Sequence, residues 1–501
     1  MKKTILLSLI ALASLGAKAQ KSPEEKLNMT MYAIMNMYVD SIKKAPFVDA
    51  QIAQMLRSLD PFSEYLPPVA ASSNEKALLG KPAQAGIGIE GNVSDGRFYV
   101  TYVSPGTDAH AKGLRGGDEI TLVDGVKVGD INDGVYAKIN GDAGSSVNLT
   151  VRKPDGKEQA VTVKRGFIAP STVRSHYMVD RHTGYVCLSM FSETTVADFK
   201  KAIAELRKQG MKNLVLDLQG NGGGLFDAAV ALADEFIDGT KTIVSTKGAH
   251  NPSETWRAKN KGFMESGRIV LLVGKRTMSA AEIFSGAIRD WDRGVLVGST
   301  TFGKGLIQQT LPFDDGSALR LTVARYVTPS GMNIQRPYAG HEQQDTAKVY
   351  KSMLNHRTLR GGGGITADIS VLPDTSYLTR WYGYITYSGV QKVAARNYII
   401  SHRQSLLGKY RKPDAFIASF DTPNELLQGV RQLSESAGIP FDEDGYSRSL
   451  PYLCTQLKAL MARDLYADNN LYYKIINSSS PVLRKAVSVI EGKEYDEVLS
   501  K

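Results

Sequence analysis

Between residues 184 and 371 short apolar runs alternate with amphipathic helical stretches, and this alternation restricts the fold more than any other feature of the chain. The runs at 185–188, 214–218, 269–273 and 295–297 are too short for helices and are rich in Val, Ile and Leu. Between them, 196–209, 226–237 and 280–290 carry apolar residues at helical spacing. Strands that are apolar on both faces and alternate with helices require a mainly parallel sheet covered by helices. The chain has 501 residues, 42% apolar and 22% charged, so an α/β core of this size leaves room for further domains.

The first residues have the pattern of a removable leader. Lys2 and Lys3 precede a 13-residue apolar stretch, 4–16, and Ala17-Lys18-Ala19 forms a cleavage site before Gln20. The stretch is short for a membrane span, no later segment reaches 18 apolar residues, and no Cys follows the site to carry a lipid. The expectation is a signal peptide at 1–19 and an exported soluble protein, periplasmic or secreted. Net charge is +10, and removing Lys2, Lys3 and Lys18 leaves +7. With no run of five like charges, this is a surface bias and not a nucleic-acid footprint. Cys187 and Cys454 can pair in an oxidising compartment or stay as buried thiols. No Cys-x-x-Cys or His-x-x-x-His spacing offers a metal site.

An N-terminal helical segment is expected over 20–80. Leu27, Met31, Ile34, Met35 and Tyr38 make one apolar helical stripe, and Val48, Ile52, Met55, Leu56 and Leu59 a second, both read as packing surfaces. Pro61 then breaks the helix within Leu59-Asp60-Pro61-Phe62-Ser63-Glu64-Tyr65-Leu66.

From 84 to 165 the texture changes to short strands and Gly turns. Gly86-Ile87-Gly88-Ile89 opens it, Gly113-Leu114-Arg115-Gly116-Gly117-Asp118-Glu119-Ile120 follows, and 147–151 and 160–164 alternate around Pro154-Asp155-Gly156. This region resembles a PDZ domain. Backbone N–H groups near Gly86 and Gly88 can cradle a terminal carboxylate, and the next strand can add a peptide by β-augmentation. Ile87 and Ile89, with Val135 and Ile139 four residues apart on a facing helix, are the expected peptide-binding residues.

Three Gly-rich or helix-starting spots invite chemistry. Gly220-Asn221-Gly222-Gly223-Gly224 lies between a strand and a helix, where backbone N–H groups suit an anion or an oxyanion. Leu225 stands where a dinucleotide fingerprint needs Gly. The run from Gly298 to Gly305 lacks the Ser or Thr that a phosphate loop requires after Lys304, and 306–310 reads as strand, so ATP is excluded. Ser279, before Ala280-Ala281-Glu282-Ile283, starts a helix after a buried strand. That position suits an N-cap and equally a nucleophile with the Ala280 N–H facing an oxyanion.

Taken in order, these pieces resemble the tail-specific, or C-terminal processing, serine proteases, over roughly 47–370. The resemblance implies that Ser279 is the nucleophile, that Lys304 in Thr301-Phe302-Gly303-Lys304-Gly305, 25 residues later, is the base, and that Gln308 orients it. Leu319-Arg320-Leu321-Thr322-Val323-Ala324-Arg325-Tyr326 and Gly362-Gly363-Gly364-Ile365 also fit the family pattern. Phe62 stands where the family has His, Gln219 where it has Arg, Gly222 where it has Pro, and Thr277-Met278 where it has Ser-Ala. These departures alter the walls of the site and leave Ser279, Lys304 and Gln308 in place. No Gly-x-Ser-x-Gly elbow and no His–Ser pairing competes with a Ser–Lys dyad.

The expectation is therefore a multidomain α/β protein. A PDZ-like β-rich domain (84–165) is inserted between the N-terminal helical segment and an α/β Ser–Lys protease core (170–370), and a helical extension (371–501) follows, with Tyr-rich helical segments expected near 381–402, 423–436 and 450–466. It is expected to be an exported endopeptidase that recognises proteins or peptides with a free, apolar C-terminus. Lys304 must be neutral to take the Ser279 proton. The backbone N–H groups of Ala280 and of Gly223 or Gly224 are the expected oxyanion donors. No metal or organic cofactor, nucleic acid or later transmembrane segment is expected, and a homodimer through the first helix or the extension is open. The competing reading is a catalytically inactive PDZ-bearing periplasmic scaffold.

Overall fold

In the computed structural model of the chain the described residues are 22–79, 85–94, 96–131, 134–167, 171–338, 348–372 and 374–500. The expected signal peptide lies outside them.

Helix α1 (Pro23–Met37) starts at a Ser22/Glu25 capping box, with both reciprocal bonds at 3.2 Å. It fully buries none of its residues: of the stripe read as a packing surface, Leu27 and Tyr38 are exposed and Met31, Ile34 and Met35 half-buried. Helix α2 (Lys44–Arg57) buries Leu56. The chain turns at Pro61, forms β1 (Glu64–Leu66), and continues into α3 (Pro68–Leu78).

The β-rich domain is an antiparallel sheet in the order β2 (Ile89–Ser94), β3 (Arg97–Val103), β4 (Glu119–Val123), β5 (Ser146–Arg152), β6 (Glu158–Lys164), so β2 is an edge strand. Alternate residues Phe98, Val100, Val147, Leu149 and Val151 point inward, as a half-buried sheet demands. Helix α4 (Val135–Ile139) closes the core by burying its two named residues, Val135 and Ile139.

The α/β core has a six-stranded sheet. Its strands are β7 (Val173–Met178), β8 (Thr183–Leu188), β9 (Asn213–Asp217), β12 (Ile269–Val273), β13 (Val295–Gly298) and β16 (Ile369–Ser370), in the order β16-β13-β12-β9-β8-β7. Only the β7–β8 pair is antiparallel. Helices α5 (Thr195–Lys208), α6 (Phe226–Asp234) and α7 (Ala280–Asp290) cover one face, packing Phe199, Leu232 and Phe284 against Leu214, Leu216 and Leu271. The alternate residues Val215, Val270 and Leu272 face the other way, onto Val482, Leu483 and Val489. All five residues of β12 are buried, as its continuous apolar run requires.

A second sheet flanks this core: β1, β15 (Ala318–Val327), β10 (Thr242–Lys247) and β11 (Glu254–Arg257), with β14 (Leu306–Pro312) along the other edge of β15. Sequence periodicity points to β14 but not to this sheet, whose strands are mostly half exposed.

The extension is helical throughout. The stretch expected as one helix over 381–402 is broken at Gly389, whose φ of 75° lies in the left-handed region, giving α8 (Arg380–Tyr387) and α9 (Val390–Lys409). Helices α10 (Pro413–Ser419), α11 (Asn424–Ser436) and α12 (Glu443–Tyr466) form a separate apolar cluster with them. Helix α12 starts seven residues before the expected 450 and passes through Pro451. Helices α13 (Asn469–Asn477), α14 (Pro481–Glu491) and α15 (Glu494–Ser500) lie against the core, where Asn470 Oδ1 accepts from the Ser175 hydroxyl (3.0 Å) and the His176 N–H (2.8 Å). At the far side of the extension, the Arg403 guanidinium donates to the Gly116 carbonyl (2.6 Å), and Arg463 lies 3.6 Å from Glu90 and over the Tyr102 ring. Cys187 and Cys454 are free thiols. Among the described residues no helix is long and apolar enough to cross a membrane.

Candidate active site

Ser279 occupies the sharp turn between β12 and α7. Its φ of 57° and ψ of −118° are strained for a residue with a side chain, and such strain persists only where the surroundings enforce it. Two groups hold it. The Ser279 N–H donates to Glu282 Oε2 at 2.8 Å, and its carbonyl lies 3.0 Å from the Tyr326 hydroxyl.

Glu282 is fully buried and is the organiser of the site. Its Oε2 accepts from the N–H groups of Ser279 and Lys304 (2.9 Å). Its Oε1 accepts from the Thr301 hydroxyl (2.6 Å) and the Gly303 N–H (2.7 Å). One carboxylate thus joins the turn carrying Ser279 to the loop carrying Lys304. Burial pushes the Glu282 carboxyl up from its ordinary range, while the four donors pull it down. The Tyr326 hydroxyl makes a parallel tie, sharing its proton between the Ser279 carbonyl and the Lys304 carbonyl at 2.7 Å.

Lys304 donates from Nζ to Gln308 Oε1 at 2.7 Å, and Nζ lies 5.0 Å from the centre of the Phe62 ring. Gln308 in turn donates from Nε2 to the Phe62 carbonyl. Burial pushes the Lys304 ammonium below the ordinary lysine value, and Arg320 adds to that shift. Glu64, Asp60 and Glu282 oppose it. Asp60 shapes the turn that presents Phe62, accepting from the N–H groups of Phe62 (2.7 Å) and Ser63 (2.8 Å) and from the Ser63 hydroxyl (2.7 Å).

Ser279, Ala280, Gly223, Gly224, Lys304 and Gln308 all line one cavity of about 670 Å³, to which Asn74 and Leu78 of α3 also contribute. Among the described residues no hydrogen bond joins Ser279 to the Lys304 amine, which rests on Gln308. Gly223 and Gly224 have φ of 97° and 142°, open only to glycine. A Cβ on Gly223 would sit 2.9 Å from the Ser279 Cβ and 3.1 Å from the Ala280 nitrogen. The two expected oxyanion elements therefore meet, with one correction: the Gly223 N–H is already donated to Asn221 Oδ1 at 2.9 Å. That leaves Ala280 and Gly224 of the expected donors, both lining the cavity.

The expected peptide groove needs a larger correction. Ile87, Val135 and Ile139 are each 1% exposed and belong to the domain core, while Ile89 is partly buried against it. The Gly86 N–H is paired with the Gly166 carbonyl (3.1 Å), which removes it from any carboxylate cradle; Gly88, at φ 79°, stays at the loop. The α4 face turned toward β2 carries Tyr136, whose hydroxyl reaches Gly91, and at the helix end Asn140, whose Oδ1 lies against Gly86. Choosing Val135 and Ile139 followed from apolarity, which is the property that sends them inward.

Sequence reasoning passed over Glu282 and Tyr326 as site residues. The Ser-x-x-Glu spacing of a capping box was the available signal for Glu282; a Tyr in a strand carries none.

A strained Ser at a strand-to-helix turn, lining one cavity with a glycine turn and a half-buried lysine, with a β-rich domain ahead of the core, is the arrangement of a serine-type peptidase. The sequence matches peptidase family S41 over 182–342, the PDZ domain over 85–164, and a family of unknown function over 381–468. It is 33% identical over 341 residues to the "carboxy-terminal processing protease CtpA" of Bacillus subtilis (strain 168), covering 67% of this chain and 72% of that protein. It is 32% identical over 321 residues to a "probable CtpA-like serine protease" of Staphylococcus haemolyticus (strain JCSC1435), covering 63% and 64%. A solved "photosystem II D1 C-terminal processing protease" superposes with a TM-score of 0.38 at 27% identity, covering 70% of this chain and 87% of that one. The chain belongs to peptidase family S41 and carries a PDZ domain ahead of its protease core.

Proposed function

We propose that this protein is an exported Ser–Lys endopeptidase that selects its substrates by their C-termini. The observation that carries the reading is the single cavity in which Ser279 and Lys304 meet, on two loops tied by the Glu282 carboxylate. A substrate tail docks on the PDZ domain. The Ser279 hydroxyl attacks a peptide carbonyl, and neutral Lys304 takes the hydroxyl proton and returns it to the leaving amine. The Ala280 and Gly224 N–H groups hold the oxyanion. Water then hydrolyses the acyl-enzyme with Lys304 again as base. Gln308 fixes the amine against the Phe62 ring. The relatives named for carboxy-terminal processing support the substrate class. The leader pattern at 1–19 supports export to the periplasm, and the open apolar residues of α1 support a homodimer.

The test is hydrolysis of an unstructured protein by the purified chain. Ser279→Ala and Lys304→Ala should each lose activity by at least a thousandfold while melting as wild type. Lys304→Arg should be as inactive, because guanidinium does not deprotonate to act as base. Near-wild-type turnover in any of the three would overturn the assignment.

A further inference from the structure

The edge strand of the PDZ domain is already engaged by the protein itself. Strand β2 is the sheet edge, and Gly91 within it stands opposite Val100. Val100 turns both of its main-chain groups the other way: its N–H goes to the Asp118 carbonyl (2.8 Å), and its carbonyl accepts from Gly117 (2.8 Å). Gly91 is therefore a non-hydrogen-bonded partner whose N–H and carbonyl face outward. Both are taken by one side chain. The Tyr136 hydroxyl accepts from the Gly91 N–H at 2.7 Å and donates to the Gly91 carbonyl at 2.9 Å. The Tyr136 ring packs edge-on to Phe98 at 5.3 Å, which aims the hydroxyl. Gly91 itself has no room for a side chain, since a Cβ would lie 2.5 Å from the Phe98 ring.

We propose that Tyr136 is a latch on the peptide groove. It occupies the pair of main-chain groups that an added strand must take, so a substrate tail binds only by displacing it. The proposal rests on the C-terminus-recognition reading above and specifies how that site is regulated. Outward-facing residues recur every second position along a strand. A tail whose carboxylate sits at the Gly88 loop and whose last residue pairs beside Ile89 places its third-from-last residue opposite Gly91. That residue must offer both an N–H and a carbonyl to replace the hydroxyl. The latch therefore discriminates against a tail whose third-from-last amide is methylated or is part of a proline ring.

The test uses the full chain carrying Ser279→Ala, so that peptide is not consumed, with and without Tyr136→Phe, which removes only the hydroxyl. The probe is a ten-residue free-acid peptide ending in an apolar residue, titrated by calorimetry. Two hydrogen bonds need not be surrendered in the phenylalanine variant, so it should bind about 3- to 30-fold more tightly. In the peptide-free protein, hydrogen exchange over 89–94 should be faster in the variant by a similar factor. Equal or weaker binding by Tyr136→Phe overturns the latch, as does unchanged exchange over 89–94. Faster exchange with no binding by either protein keeps Tyr136 as the group that holds the edge and overturns C-terminus recognition instead. A melting temperature equal to that of the parent establishes that the variant is folded.

Discussion

A single carboxylate decides the geometry at the residue scale. Glu282 holds four donors with two oxygens and accepts from both the Ser279 turn and the Lys304 loop. Glu282→Gln keeps the shape but turns an NH₂ either toward the Ser279 and Lys304 N–H groups or toward the Gly303 N–H and the Thr301 hydroxyl, so at least one buried N–H loses its acceptor. A buried donor left unsatisfied costs about 1–3 kcal/mol, so the variant should lose a few degrees of melting temperature. Its kcat should fall about a hundredfold, since displacements near 1 Å cost that much. Wild-type kcat with a lowered melting temperature would reduce Glu282 to a purely structural role. The Lys304 shift gives a second expectation. Burial lowers its pKa from the ordinary lysine value, and the proposed chemistry needs the neutral amine. Below the depressed pKa the amine is protonated, so kcat/KM should fall with a slope of one proton as pH drops through it and level off above it. A profile flat from pH 5 to 9, with chemistry rate-limiting, would rule out Lys304 as the base. Spacing alone left Ser279 an N-cap and Lys304 a surface lysine; only the resemblance to a protease family singled them out with Gln308, and the three line one cavity. The state of the Gly223 amide was not legible, because only the three-dimensional turn shows that Asn221 has taken it.

At the element scale, the site depends on a short strand contributed from far away in the chain. Strand β1 pairs with β15 through Glu64–Arg320, Tyr65–Leu319 and Leu66–Ala318, and the turn before it delivers the Phe62 ring and carbonyl to Lys304 and Gln308. Asp60 stabilises that turn by accepting three hydrogen bonds. In Asp60→Ala the Phe62 carbonyl should leave Gln308, and the lysine amine should lose its fixed position. The expected result is a kcat lowered about 10- to 100-fold with a smaller change in KM. A loss confined to KM would place this turn in substrate binding instead. Strand–helix alternation in the core was legible because each strand there is apolar on both faces, as in Ile269–Val273. The second sheet was not. Its β15 reads Leu, Arg, Leu, Thr, Val, Ala, Arg, Tyr, is half-buried over most of its length, and has partners up to 256 residues away, which no local period reports. The break at Gly389 within the expected 381–402 helix depends on a single left-handed residue, and an isolated Gly is tolerated in many helices.

At the scale of the whole molecule, the extension links the two functional domains. Its helix α14 covers the second apolar face of the core sheet, with Val482, Leu483, Ala486, Val489 and Ile490 against Tyr185, Val215, Val270, Leu272 and Val297, and Tyr495 of α15 adds to it. Its longer helices reach the PDZ domain. The contact is tight at the backbone, since a Cβ on Gly116 would lie 2.9 Å from the Asp464 carbonyl. Its strongest polar link is the charge-assisted bond from Arg403 to the Gly116 carbonyl at 2.6 Å. Arg463 adds the tyrosine-ring contact and a 3.6 Å approach to Glu90, which is largely exposed and worth little alone. The arrangement makes residues 380–466 a brace that orients the PDZ domain on the protease core. Removing both guanidiniums, in Arg403→Ala with Arg463→Ala, should weaken docking by about 2–4 kcal/mol, mostly through the lost charged hydrogen bond. If the domain is held mainly by this brace, hydrogen exchange over 97–103 and 114–119 should quicken about tenfold or more, while exchange over 214–218 in the core sheet stays at its wild-type rate. Unchanged exchange in both regions would mean that the PDZ domain is held chiefly by its covalent connections and by Gly116 packing. Acceleration in both would mean that the two arginines stabilise the whole chain and do not act as a local brace.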